Sequence, residues 1–181
     1  MEKKLLVTYK SITGFTKEYA EMIAEEISCT LINFKDVTVE RMSTYDTVIF
    51  GGRMHAGTVD GLKKAKAFFS QSKASNLVLF TTGATPNDAK DLIDEMWSNN
   101  LSSFELQTIP HFYFQSGLRY EKMPFGDRLM MKVFSIMLKK KKDKNEYEKT
   151  FENAIASSYD ISSKTYIKPL IDILNAEKQK A

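Results

Sequence analysis

In Leu5-Leu6-Val7-Thr8-Tyr9-Lys10-Ser11-Ile12-Thr13-Gly14-Phe15-Thr16 an apolar run gives way to three hydroxyls and a glycine. Residues 5–9 suit a buried strand, because a strand covered on both faces is apolar throughout rather than alternating. Directly downstream, Phe15, Tyr19, Met22, Ile23 and Ile27 recur at helical spacing and mark one face of an amphipathic helix. A strand that feeds a helix through a short polar loop opens a β-α-β unit, and such units build parallel sheets.

The rhythm continues outward from this segment. Residues 31–34 form a weaker strand, and residues 47–51 a strong one punctuated by Gly51-Gly52. Leu62, Ala65, Phe68 and Phe69 share the face of a basic helix, and residues 77–80 are again wholly apolar. Pro86-Asn87-Asp88 is expected to open a helix whose inner stripe is Leu92, Ile93, Met96, Trp97 and Leu101. Residues 109–114 give a fifth strand, and Ile167, Leu170, Ile171 and Leu174 a last helix that Pro169 kinks or begins. Right-handed crossovers put helices on both faces. The expected fold is an α/β, doubly wound sandwich: a five-stranded parallel sheet with helices on both faces.

Residues 116–150 break the alternation. An irregular stretch precedes a helix carrying Phe125, Leu129, Met130, Val133, Phe134, Met137 and Leu138 on one side, so the segment is read as an insertion before the last helix. At 181 residues the chain is expected to be a single domain, 1–181, and 43% hydrophobic with 12% aromatic content excludes a disordered chain. The single cysteine, Cys29, excludes an intrachain disulfide and a cysteine-rich zinc site, and fits the reducing cytoplasm. No metal site is expected. Residues 1–7 hold too short an apolar run for a signal peptide, and no stretch approaches the ~20 apolar residues of a membrane span.

The loop after the first strand carries the first indication of function. Ligands bind parallel sheets at the carboxyl ends of their strands. There, unpaired backbone N–H groups at a helix start, the helix dipole and the hydroxyls of Ser11, Thr13 and Thr16 together suit a phosphate, while Gly14 permits close backbone approach. The loop is neither G-x-x-x-x-G-K-[ST] nor G-x-G-x-x-G, which disfavours nucleoside triphosphates and dinucleotides and leaves a phosphomonoester. The plain alternative is that Thr13 only caps the helix.

The pattern [ST]-x-T-G-x-T at residues 11–16 resembles the FMN-phosphate loop of flavodoxins and flavodoxin-like oxidoreductases. The resemblance implies a flavodoxin-like fold, FMN as cofactor, and contacts from Ser11, Thr13, Gly14, Phe15 and Thr16. It also implies two ring-binding loops at residues 52–58 and 81–87, with Met54, His55, Ala56, Gly57, Thr82, Gly83 and Ala84 as candidates. Neither loop contains Trp, Tyr or Phe, although carriers of this family usually stack aromatic rings on the flavin. His55 is either a proton donor at the flavin or a loop histidine without a role.

Flavodoxin carriers tend to be strongly acidic, whereas this chain has a formal net charge of +3. Leu118-Arg119-Tyr120, followed by Asp127-Arg128, Met130 and Lys132, is similar to the segment after strand five in the flavodoxin-like, quinone-dependent protoporphyrinogen dehydrogenases of heme biosynthesis. That resemblance implies an oxidoreductase passing electrons from an acidic, flat, porphyrinogen-like substrate through FMN to a quinone. Arg119, Tyr120 and Arg128 are the substrate-binding candidates, Arg suiting bidentate carboxylate contacts. The structural alternative is a local Arg119–Asp127 salt bridge.

Residues 125–142 form a basic amphipathic helix ending in four lysines. It suits peripheral contact with the inner face of an anionic membrane, and core packing plus a solvated lysine run explains the same pattern. No aromatic-basic interleaving supports nucleic-acid binding. An electron-transfer protein without its own small-molecule substrate is the second reading, and a flavin-free interaction protein the third.

Overall fold

In the computed structural model, which describes residues 3–144 and 146–179, the chain alternates strand and helix as expected. Strand β1 (Leu5–Lys10) leads to helix α1 (Phe15–Glu26), then β2 (Thr30–Asn33), the short α2 (Val39–Met42) and β3 (Thr47–His55). A two-residue strand, β4 (Thr58–Val59), precedes α3 (Leu62–Gln71), β5 (Asn76–Gly83), α4 (Lys90–Ser98), α5 (Ser103–Thr108) and β6 (His111–Gln115). Beyond it come β7 (Gly117–Leu118), α6 (Phe125–Lys140), α7 (Glu146–Ala154), β8 (Tyr159–Asp160) and α8 (Lys168–Gln179). Residues 1–2 and 180–181, the ends of the expected domain, and Asn145 lie outside the described residues.

The five long strands form a parallel sheet in the order β2-β1-β3-β5-β6, with β4 folding back antiparallel on β3. Side chains alternate between faces along each strand. Leu6, Val48, Phe50, Leu77 and Leu79 meet Leu62 and Ala65 of α3 and Ile93 and Trp97 of α4 on one side. Val7, Ile49, Val78 and Phe80 meet Tyr19, Ala20 and Ile23 of α1 and Leu170 and Leu174 of α8 on the other. The five-stranded doubly wound sandwich is therefore the fold observed.

Several boundaries differ from the sequence reading. Strand β3 passes through Gly51-Gly52 instead of ending there. A Cβ at Gly51 would lie 2.0 Å from Phe80 Cζ, and one at Gly52 2.5 Å from the Asp60 carbonyl, so these glycines admit neighbours rather than stop the strand. Phe34 begins a 3₁₀ turn, and α4 starts at Lys90, after a turn through Pro86. Leu92 is exposed, and Leu101 is buried beyond the end of α4. Pro169 sits in the first turn of α8, where its missing N–H is harmless.

The insertion is longer than residues 116–150. β7 pairs antiparallel with β8, bringing residues 117–118 against 159–160. Leu118, Met123, Leu138 and Ile155 form its own small core, against which Ala84, Tyr120, Met131, Phe151 and Tyr159 pack. Of the apolar stripe on α6 only Leu138 is buried; Phe125 is 81% and Met137 65% exposed, with Leu129, Met130, Val133 and Phe134 exposed as well. Core packing therefore does not account for that stripe. Among the described residues no helix is long and apolar enough to cross a membrane.

Candidate functional site

The carboxyl ends of β1, β3 and β5 converge on one edge of the sheet, and the loops that leave them form three walls of a cavity of about 170 Å³. Thr13 and Phe15 come from the first loop and the start of α1, Met54, His55 and Ala56 from the β3–β4 turn, and Thr82, Gly83 and Ala84 from the end of β5. The segments 52–58 and 81–87 named from sequence are thus brought together with the hydroxyl loop of residues 11–16. Ser11, Gly14, Thr16 and Gly57 support the walls without lining them.

In the first loop Gly14 takes φ +102°, a left-handed backbone that glycine adopts without Cβ strain. Gly14 occupies the N-cap position of α1, and no side chain bonds back to the first turn, so Thr13 is not a cap. The Gly14 N–H donates to Ser11 Oγ at 3.2 Å, which curls the hydroxyls inward. Thr16 is buried and its hydroxyl pairs with that of Thr82 at 2.9 Å, fastening the first loop to the third. The β3–β4 connection is a two-residue turn through Ala56 (φ +47°) and Gly57 (φ +80°), the geometry that matches the twist of a tight hairpin. That turn fixes Met54 and His55 beside the cavity.

The fourth wall is the insertion, through Ser116, Gly117, Leu118, Met123, Asp127, Met130, Met131 and Phe151. Sequence reasoning missed Arg53, Asp127 and Phe151 as site residues. Phe151 and Phe15 supply the aromatic faces that neither ring loop contains. Asp127 of α6 reaches the sheet: its carboxylate lies 2.8 Å from Arg53 Nη1 and 3.2 Å from His55 Nε2, and Arg53 Nε is 2.7 Å from Asp60. The His55 contact is close but unaligned, leaving Nε2 buried without a hydrogen-bond partner.

Arg119, Tyr120 and Arg128 do not line the cavity. The Tyr120 hydroxyl donates to the Ile155 carbonyl at 2.7 Å, and burial raises its pKa. Arg128 is exposed and its Nε donates to the Met123 carbonyl at 3.0 Å. Arg119 forks onto Glu18 at 2.6 and 2.7 Å and onto Asp160 at 2.6 Å. The bond to Glu18, above all, raises its pKa, so the guanidinium stays charged. A local Arg119–Asp127 bridge is not formed: Arg119 pairs with Glu18 and Asp160, and Asp127 with Arg53.

The model of the flavodoxin domain family matches residues 6–145. No curated protein matches the chain. Among solved structures it is similar to a flavodoxin, WrbA-like protein of Agrobacterium tumefaciens, with 20% identity, 70% of this chain and 88% of that chain covered, and a TM-score of 0.41. It is also similar to the two-electron reduced flavodoxin of Megasphaera elsdenii, with 15% identity, coverage of 84% and 99%, and a TM-score of 0.42. A flavoprotein of Lactobacillus acidophilus in complex with FMN shares 18% identity over 62% of this chain and 92% of that chain, with a TM-score of 0.38. The family match runs from the first strand through α6, and the chain belongs to the flavodoxin domain family.

Proposed function

We propose that the protein is an FMN-dependent oxidoreductase that passes electrons from an acidic, flat, porphyrinogen-like substrate through FMN to a quinone. The carrying observation is the convergence of the hydroxyl loop, the Met54–His55 turn and the β5 end on one cavity that the insertion walls with Leu118, Met123 and Met131. The residues fit the cofactor. The uncapped start of α1 with Ser11, Thr13 and Thr16 suits a phosphate, and the unpartnered His55 Nε2 suits the polar edge of a flavin ring between apolar walls. FMN supplies the electron-transfer chemistry, and the chain binds, orients and shields it.

The porphyrinogen assignment rests on the likeness of residues 117–138 to protoporphyrinogen dehydrogenases. Arg128 and Lys122, both exposed, are insertion cations open to substrate carboxylates. The quinone assignment is supported by α6, whose bare apolar face lies beside Lys132 and the run Lys139, Lys140, Lys141 and Lys142. A helix of this kind binds anionic membrane surfaces, where a quinone resides, and the reading puts the protein in the cytoplasm at the inner face of the membrane.

The family match supports a second reading, an electron-transfer protein whose flavin, held in the same cavity, meets a redox partner directly. Anaerobic mixing of FMN-loaded protein with protoporphyrinogen and a soluble quinone separates the two. Turnover supports the enzyme. Flavin reduction only by a protein partner supports the carrier, and failure to bind flavin overturns both.

A further inference from the structure

We propose that Arg119 determines specificity for the cofactor's phosphate: it neutralises Glu18 and braces the phosphate loop, so that FMN is held in preference to riboflavin. The inference rests on the FMN reading of that loop. Pairing of Leu118 with Tyr159 fixes the backbone on either side of the insertion, and the Arg119 side chain, 14% exposed, turns back over the loop. Its guanidinium lies 3.9 Å from the centre of the Phe15 ring, and Nη1 is 3.3 Å from the Thr13 carbonyl oxygen. A Cβ at Gly14 would stand 2.8 Å from Nη1 and 3.8 Å from Lys122 Nζ, so two cations of the insertion cover this turn of the loop.

The arrangement has two consequences for a phosphate. In a trans peptide the carbonyl and the following N–H point to opposite edges of one plane. With the Thr13 carbonyl turned out to Arg119, the Gly14 N–H faces in, where it meets Ser11 Oγ at 3.2 Å. Arg119 therefore holds the donor edge of this peptide toward the loop interior. Glu18 lies in the first turn of α1, where the helix dipole favours it but where its charge opposes a phosphate dianion. The bidentate contact with Arg119, whose guanidinium also meets the more exposed Asp160, offsets that charge. Riboflavin, with no phosphate, is indifferent to both effects.

The test compares dissociation constants for FMN and riboflavin, read by flavin fluorescence in wild type, Arg119→Met, Glu18→Gln and the double variant. Arg119→Met is expected to weaken FMN by about tenfold, the equivalent of ~1.4 kcal/mol, with riboflavin changed less than about twofold. The double variant regains most of the FMN affinity because the carboxylate in the first turn of α1 is gone, while Asp160, the other partner of Arg119, is left without its cation in both variants and is 46% exposed to solvent. Equal losses for both flavins, or no loss for either, overturn the inference while leaving FMN binding intact. Failure of wild type to bind FMN overturns the proposed function and this inference together. Should Arg119→Met fail to fold, Glu18→Gln alone decides: FMN binds more tightly with riboflavin unchanged, and an unchanged FMN affinity refutes the role.

Discussion

Replacing Asp127 with Ala should loosen the insertion without unfolding the sheet. Asp127 is the side chain by which α6 grips β3, and it is 17% exposed, 2.8 Å from Arg53 Nη1 and 3.2 Å from His55 Nε2. Arg53 keeps Asp60 at 2.7 Å after the truncation, so no buried cation is stranded and the penalty stays below that of breaking a fully buried pair. What is lost is a part-buried ion pair with no aligned hydrogen bond, about 1.5–3 kcal/mol, between the exposed and the fully buried limits. With ~1.4 kcal/mol per factor of ten, the open population of the insertion rises about tenfold to a hundredfold. Amide hydrogen exchange resolved along the chain reads this directly, because local opening and global unfolding protect different amides. Amides of α6 should exchange faster by that factor while those of β3 and β5 keep their wild-type rates. Unchanged exchange in α6, or a uniform acceleration of the whole chain, would refute the idea that Asp127 latches the insertion to the site.

Thr13→Ala should weaken FMN binding by about tenfold through loss of a hydroxyl bond to a charged group, and Thr16→Ala should weaken it by releasing the loop from Thr82, to which Thr16 is bonded at 2.9 Å; both are measured by fluorescence titration, and undiminished affinity would exclude this loop as the phosphate site. Replacing Lys139, Lys140, Lys141 and Lys142 with Gln removes three cations not already committed to Glu148, since Lys141 pairs with it at 2.6 Å. At about 1 kcal/mol per basic residue near an anionic surface, sedimentation with phosphatidylglycerol vesicles should fall by about a hundredfold, and binding that survives the change would eliminate electrostatic docking. Acid stability offers a further check at Glu105, whose pKa is lowered by the Lys66 ammonium 2.5 Å away and by the Ser102 N–H. A lowered folded pKa stabilises above the unfolded value of about 4.3 and ceases to do so as pH falls through the folded one. The Tm difference between wild type and Glu105→Gln should therefore hold steady near neutrality and vanish in acid, and a difference independent of pH would contradict the pairing.

The parts of the fold that periodicity encodes were readable in advance. Apolar strands such as residues 77–80 and the helical stripe from Phe15 to Ile27 report their own burial, so a parallel sheet with helices on both faces followed from connection rules. Gly51-Gly52 misled because a glycine looks alike in sequence whether it ends a strand or makes space for Phe80. The stripe on α6 misled in another way: spacing defines a face but not what covers it, and only the structure shows Phe125 and Met137 bare.

The site was legible where it is local and illegible where it is not. The hydroxyls of residues 11–16 fall within one six-residue stretch and carry a recognisable pattern. Arg119 and Asp127 stand close together in sequence, yet their partners are Glu18, 101 residues away from Arg119, and Arg53 on β3. Such pairings depend on how the insertion folds back through β7 and β8, and two-residue strands leave no periodic signal. Phe151 escaped notice for the same reason, since its helix reaches the cavity only after that return.

The visible absorption spectrum of the purified protein, recorded after incubation with FMN and removal of the excess by gel filtration, tests the central claim most directly. The account predicts a protein-bound flavin spectrum at one FMN per chain, with the released cofactor identified as FMN. A colourless protein after the same treatment would contradict it.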